Sequence, residues 1–289
     1  MSVLTGETVA QPKRLGIGRE NEREILLEEE LGLEAASVGA KIFAVTAFAA
    51  IGQRYLPRGW LDFLRQLVIW FGFLLAYQVA RGLADRDPTK AFSNGLGVIN
   101  IERHTHALFE LTLQRVTVSS HLLTTLTSWT YWLSQFTVLG LALLWVYLRR
   151  NEHFGRFRNT VLLANAIGLI GYITLPTAPP RMFPGEGFVD ILSSFGINHG
   201  SGFVELASNP YAAMPSLHSA DALIVGITLA MIVRRWYFKV LWLLWPAWVW
   251  FSVMATGNHF WLDIVVGVGV AGLAAAIVNA PRLLRHAKA

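Results

Sequence analysis

Six apolar stretches of near-spanning length recur along this chain, at about Leu61 to Leu83, Ser128 to Leu148, Asn159 to Pro176, Ser216 to Val233, Phe238 to Gly257 and Phe260 to Ala280. Each is close to the ~20 residues a helix needs to cross ~30 Å of hydrocarbon. A water-soluble globule could not cover so much apolar surface: 54% of the residues are apolar and only 15% charged, against about 25% charged in soluble domains. Mean hydropathy is +0.45. The pattern predicts an all-α polytopic membrane protein, a six-helix transmembrane bundle. The absence of cysteine excludes disulfide scaffolds, thiolate metal sites and a cysteine nucleophile. The net charge of +5 reads as membrane topology rather than nucleic-acid affinity.

Residues 1 to 35 read as a cytoplasmic amino-terminal tail with a short amphipathic helix, and residues 36 to 289 as a single membrane-embedded domain. Between them, Ile42 to Gly52 is only about half a span long. It reads as an additional short amphipathic or re-entrant helix, or as a short span lengthened by Ala36 to Lys41. No basic-then-apolar segment ends at a small-residue cleavage site, so the first spanning helix is expected to direct insertion. Arg149, Arg150, Arg156 and Arg158, then Arg234, Arg235 and Lys239, then Arg282, Arg285 and Lys288 mark cytoplasmic loops. Six crossings with both termini inside follow; a seventh span with an outside amino terminus is the alternative. The segment Asp85 to Ser120 then lies outside despite its arginines. The same topology places the loop Thr177 to Pro215, the start of the fourth span and the hinge Thr256 to His259 together on the outer face.

Polar chemistry converges there. His218 follows Pro215-Ser216-Leu217, and His259 opens His259-Phe260-Trp261-Leu262-Asp263. Asp263 is four residues after His259, one helical turn away on the same face. A carboxylate so placed would fix the imidazole tautomer and stabilise the charge that develops as the other nitrogen reacts. Singly, each histidine fits a helix-end residue at headgroup level, whereas an acid one turn into a membrane helix costs about 2.5–3.5 kcal/mol unless paired. Arg181 follows Pro179-Pro180, which stop the third span and stiffen its exit. Its guanidinium suits bidentate phosphate binding; alone, it fits a snorkelling interfacial side chain. Ser216 caps the fourth span, and its amide and that of Leu217 form an anion site at a helix N-terminus. Together these residues are the equipment for phosphoryl transfer through phosphohistidine. His259 attacks phosphorus, Asp263 orients it, and His218 protonates the leaving oxygen. Arg181 with the Ser216 and Leu217 amides neutralises the equatorial oxygens.

The order Ala-Pro-Pro-Arg181, Pro-Ser-Leu-His218 and His259-x-x-x-Asp263, each at a span boundary, resembles the type 2 phosphatidic acid phosphatase superfamily of six-helix membrane enzymes. Pro-Ser-Leu-His in place of Pro-Ser-Gly-His resembles the inositol phosphorylceramide synthase-like branch of inositolphosphotransferases. The resemblance runs from about Leu61 to Ala280 and takes in Tyr131 and the Glu102 to Gln114 segment. It implies a lipid phosphotransferase or phosphatase. Two family cations are missing, with Thr174 and Val253 in their places and Met182 where a proline is usual. A phosphomonoester dianion loses more from this than a diester monoanion, so the departures favour transfer from a phosphodiester lipid unless Arg103 or Arg115 folds over the site.

Asp221, three residues after His218, is an acid within a span and reads either as a substrate-binding group for polyol hydroxyls or as structural support. Glu102, Arg103, His104 and His106 read as a lid, a supporting shell or a solvated interfacial helix. His199 lies in a 39-residue outer loop long enough for a substrate-gripping lid. No phosphate-loop or dinucleotide pattern is present.

No cofactor and no resident metal are expected. The partners are a phospholipid or polyprenyl lipid in the membrane and an alcohol or water acceptor, without nucleic acid. The location is a bacterial plasma membrane with an extracytoplasmic site. Three other readings stay open: a lipid phosphate or polyprenyl diphosphate phosphatase, a small lipid or proton-coupled transporter using Asp221, His259 and Asp263, and a zinc hydrolase with two histidines and an aspartate as ligands. The transporter reading is opposed by the lack of an internal repeat.

Overall fold

The computed structural model describes residues 17–83, 87–194 and 210–286. The chain divides into two compact units, Met1–Asp62 and Phe63–Ala289. In the first, α1 (Ile17–Tyr55) is one uninterrupted helix of 39 residues. The stretch Ile42 to Gly52, expected to be a short amphipathic or re-entrant helix or a short span lengthened by Ala36 to Lys41, is part of this longer one. Small apolar residues from Ala36 onward continue the run and no proline interrupts it, so Ala36–Tyr55 is long and apolar enough to span. Gly59, at φ +73°, opens α2 (Gly59–Leu83).

The second unit is all-α among its described residues apart from one isolated parallel bridge, Thr177 to Ala212. Helix α3 (Pro88–His104) starts where sequence chemistry requires: the Asp87 carboxylate accepts from the Thr89 and Lys90 amides, and proline fills the first helical position. Helix α4 (Glu110–Val118) follows. Helices α5 (His121–Leu133) and α6 (Leu139–Arg149) are joined through a π-helical turn, Ser134–Val138, into one 29-residue apolar rod. Helix α7 (Asn151–Thr174) carries Glu152, Arg156 and Arg158 in its first turns, and it is not among the five described helices long and apolar enough to cross a membrane, although its apolar part from Asn159 was expected to be the third span. Two 3-10 turns, Pro180–Met182 and Pro184–Glu186, and the single turn α8 (Ile191–Ser194) precede α9 (Leu217–Ile232), α10 (Trp236–Ala255) and α11 (Trp261–His286).

Helix α9 is the hub of this unit. It packs on α6, α7, α10 and α11 and is buried on most of its circumference, as an all-round apolar helix must be. Its 16 residues rise only about 24 Å, short of the ~30 Å hydrocarbon layer. Its Ser216 end carries His218 in the first turn. Over that end lies a small core of Val98, Ile99, Ala178, Phe183, Phe188, Met214 and Phe260, which ties α3 and the 3-10 turns to the start of α11.

Helix α11 approaches the Ser216 turn at Gly267, where a Cβ would collide with the Ser216 backbone. The close approach lets the Ser216 amide donate to the Asp263 carbonyl, 3.0 Å. Gly267→Ala is expected to cost about 1–3 kcal/mol through overpacking. Its thermal midpoint in lipid nanodiscs should fall, and an unchanged midpoint would show that the helices have room to separate.

Candidate active site

Helix α10 ends in a Schellman turn. The Asn258 amide donates to the Val253 carbonyl at 3.0 Å and the Gly257 amide to the Met254 carbonyl at 2.9 Å, with Gly257 at φ +73°. This left-handed position favours glycine. A side chain there would also press on the Gln114 amide and the Val189 carbonyl. The turn delivers Asn258 and His259 in sequence to the same spot.

His259 is buried, and its Nδ1 lies 2.8 Å from the Ala213 carbonyl and 3.4 Å from Asp263 Oδ2. A carbonyl oxygen can only accept, so Nδ1 carries the proton and Nε2 is left with its lone pair. The direct hydrogen bond thus comes from the loop, while Asp263 supplies charge at ion-pair distance. Asp263 also caps the helix that follows, its Oδ2 accepting from the Phe260 amide at 2.8 Å.

The next two amides of α11 are taken by acids from distant helices. Glu110 Oε1 accepts from Trp261 N at 2.7 Å, and Glu102 Oε1 from Leu262 N at 3.2 Å. Both side chains are fully buried. Free N–H groups and the positive end of the helix dipole favour negative charge here. Three carboxyls in so small a space also oppose one another. Glu102 is pushed up to about 9, first by burial and then by the charge of Glu110. Glu110 is raised too, by burial, against the Trp261 amide that pulls it down. Their remaining oxygens, both Oε2, are buried as well, and the two carboxyls interact with each other.

His218 stands opposite. Its ring stacks on Tyr131, centroids 4.5 Å apart and 19° from parallel, and lies 5.8 Å from the His259 ring. Arg181 leaves its 3-10 turn with its amide on the Gly257 carbonyl, 2.8 Å, and its Nη1 on Asn258 Oδ1, 2.6 Å. Asn258 is itself held by its Nδ2 on Thr256 Oγ1, 2.9 Å. The guanidinium is therefore aimed from the same turn that presents His259.

The structure brings together His259, Asp263, His218 and Arg181, and it corrects one expected role. The Ser216 amide is already committed to the Asp263 carbonyl, so it cannot serve as an anion donor. Ser216 instead caps α9, its Oγ accepting from the Ser219 amide and hydroxyl. Leu217 remains at the first helical position, where amides lack intrahelical partners, and its side chain packs into the notch at Gly168. Asp221 does not join the histidines: its Oδ1 accepts from Asn165 at 2.9 Å. Arg103 pairs with Glu186 at 2.6 Å, and Arg115 turns back on Thr112 and Leu111, so neither folds over the site. His199 lies outside the described residues. Among those described, no three histidine or acid side chains converge as metal ligands. Sequence reasoning missed Glu110, Asn258, Gly257 and the Ala213 carbonyl. Only Asn258 and Gly257 had a local signal, their place beside His259.

A sequence model of the PAP2 superfamily matches residues 96–277, which include all of these groups. A relative from Bacteroides thetaiotaomicron, a phosphoinositol dihydroceramide synthase, is 28% identical over 154 residues, covering 48% of this chain; the chain spans about half (50%) of that relative's length. The crystal structure of Aquifex aeolicus LpxE superposes with a TM-score of 0.43 at 16% identity, covering 58% of this chain and 92% of that one.

The raised Glu102 gives a signed pH dependence. Between the ordinary value of 4.5 and about 9 the folded chain holds a proton that the unfolded chain has lost, so stability falls as pH rises through that window. The thermal midpoint should drop from pH 5 to pH 9, and Glu102→Gln should flatten the drop. An equally steep fall in the variant would place the titrating group elsewhere.

Proposed function

We propose that this chain, which belongs to the PAP2 superfamily, is a membrane phosphotransferase that moves a phosphorylated head group, inositol phosphate or a close analogue, from a phospholipid to an alcohol. The observation that carries the reading is the His259 imidazole, locked with Nδ1 on a carbonyl and Nε2 left to react, facing a second histidine across 5.8 Å. His259 Nε2 attacks phosphorus; the P–O bond to the diacylglycerol oxygen breaks, and His218 donates the proton that oxygen needs. In the second half, His218 takes the proton from the acceptor hydroxyl, the new P–O bond forms, and His259 leaves. Asp263 and the Ala213 carbonyl stabilise the imidazolium, and Arg181, aimed by Asn258, neutralises the equatorial oxygens.

A phosphodiester donor is favoured because Arg103 and Arg115, the candidates to replace the cations absent at Thr174 and Val253, are held elsewhere. One guanidinium suits a monoanion better than a dianion. The named activity of the Bacteroides relative agrees with this choice. We assign the site to the extracytoplasmic face of a bacterial plasma membrane; the arginine-rich loops support the orientation.

Purified protein in nanodiscs with phosphatidylinositol and a ceramide should yield a new phosphodiester and diacylglycerol without free phosphate, followed by mass spectrometry. Free phosphate from phosphatidic acid or a polyprenyl diphosphate would make the chain a phosphatase instead. His259→Ala should abolish turnover, and Arg181→Ala should lower it about 10²- to 10³-fold; full activity in His259→Ala would remove the nucleophile. The lack of cysteine makes topology measurable directly. In intact cells Gly185→Cys should react with a membrane-impermeant maleimide and Glu152→Cys should not; the reverse pattern would invert the orientation.

A further inference from the structure

The far end of α9 carries an opening remote from the histidines. Between α7, α9 and α11 lies a cavity of about 520 Å³, within the range of small-ligand sites. Met231, on its wall, follows His218 by thirteen residues of the same helix, a rise of about 20 Å, so the cavity is separate from the reacting site. Its walls are apolar stripes, from Leu223 to Ile232 on α9 and from Ala271 to Ala275 on α11. The stripe on α9 rises about 14 Å, close to half of the ~30 Å hydrocarbon layer. Ile227 and Met231 are exposed on the outer surface of the unit, so the groove is open from the side.

The charged and amide groups of this groove sit at one end. His153 and Arg156 from the first turns of α7, and Asn279 near the end of α11, line the mouth, on the face where Arg149, Arg150, Arg234 and Arg235 flank the helix ends. Arg156 is half-buried, and its Nη2 donates to His153 Nδ1 at 3.4 Å. His153 is held from its other side by Glu152, 3.7 Å from Nε2. Among the described residues no carboxylate pairs with Arg156. A half-buried guanidinium with N–H groups to spare suits a phosphate, which its planar fork can grip with two bonds. The Asn279 amide donates to the Ala275 carbonyl at 2.7 Å, leaving Oδ1 to accept from a hydroxyl. Deeper in the groove Gly272 leaves a gap, since a Cβ there would meet nothing within 4 Å.

We infer that this groove holds an anionic phospholipid of the leaflet on the arginine-marked face, its phosphate on Arg156 and one acyl chain along α9 and α11. The chemistry recognised is a phosphate ester, and the apolar walls, one leaflet deep and open to the side, select a lipid over a free phosphate. A zwitterionic head group would set its own cation among the arginines of this face, so a net negative one is favoured. The bound lipid braces α7, α9 and α11 against one another and takes no part in the reaction at His218 and His259, so the site stands whether the chain is a transferase or a phosphatase.

The test uses the full chain in phosphatidylcholine nanodiscs, to which phosphatidylglycerol, diacylglycerol or soluble glycerophosphoglycerol is added, with retained ligand counted by native mass spectrometry. Wild type should retain phosphatidylglycerol at least about tenfold more tightly than phosphatidylcholine or diacylglycerol, and its thermal midpoint should rise as phosphatidylglycerol is added. Arg156→Gln should lose both the preference and the rise. Gly272→Phe, whose side chain starts in open space, should fill the groove and exclude phosphatidylglycerol while keeping the wild-type midpoint in pure phosphatidylcholine, which separates a filled groove from a misfolded chain. Equal retention of the two phospholipids by wild type, an undiminished preference in Arg156→Gln, or phosphatidylglycerol retained in Gly272→Phe would overturn the inference. Glycerophosphoglycerol bound as tightly as phosphatidylglycerol would make this a site for a free phosphate ester and remove the lipid.

Discussion

Three carboxyl groups meet the first amides of α11, and the rest of the site is arranged around that junction. Asp263 takes the Phe260 amide, Glu110 the Trp261 amide and Glu102 the Leu262 amide. A helix N-terminus normally satisfies such amides with one capping side chain and water. Here Phe188 and Phe260 belong to a buried apolar cluster beside the turn, and acids from α3 and α4 take the amides. The cost of burying them is offset by charge-assisted hydrogen bonds and the helix dipole, and by a proton on Glu102. The result is that His259, one residue ahead of the capped segment, has little freedom to move.

From that junction the geometry propagates in both directions. Upstream, the Schellman turn at Gly257 sets Asn258 against Arg181, so the proposed nucleophile and the proposed phosphate-binding cation are tied to one turn. Downstream, the Asp263 carbonyl receives the Ser216 amide, which couples the start of α11 to the start of α9 and thereby to His218. The two histidines belong to different elements far apart in sequence, yet one residue, Asp263, touches the turn that presents each. Side chains placed by such backbone contacts are held more tightly than those on free loops, as the proposed in-line displacement between two imidazoles requires.

Most of the helical architecture was legible because hydropathy over twenty residues is a strong signal and bilayer thickness leaves few alternatives. His218, His259, Asp263 and Arg181 were legible because polar groups at span ends are few and the motifs place them together. Glu110 was not: in sequence it is an ordinary acid in the first turn of an amphipathic helix, and its partner Trp261 lies 151 residues away. The Ser216 amide was misjudged for the same reason, since no local pattern reveals that the Asp263 carbonyl claims it. The amino-terminal helix was read as short because Ala36 to Ala40 are small and only weakly apolar, although nothing in them stops a helix. Local chemistry sets caps, turns and spans, whereas the partners of buried polar groups are decided by packing between distant segments.

The central claim is that His259, held through Nδ1, carries the transferred group on Nε2. Rapid chemical quench after mixing the protein with phosphatidylinositol in the absence of an acceptor, followed by peptide mass spectrometry under alkaline conditions, tests it directly. An alkali-stable, acid-labile adduct of one inositol phosphate on the peptide holding His259, discharged when acceptor is added, is the predicted result. Transfer that proceeds with no such adduct, or with the adduct on His218, would contradict it.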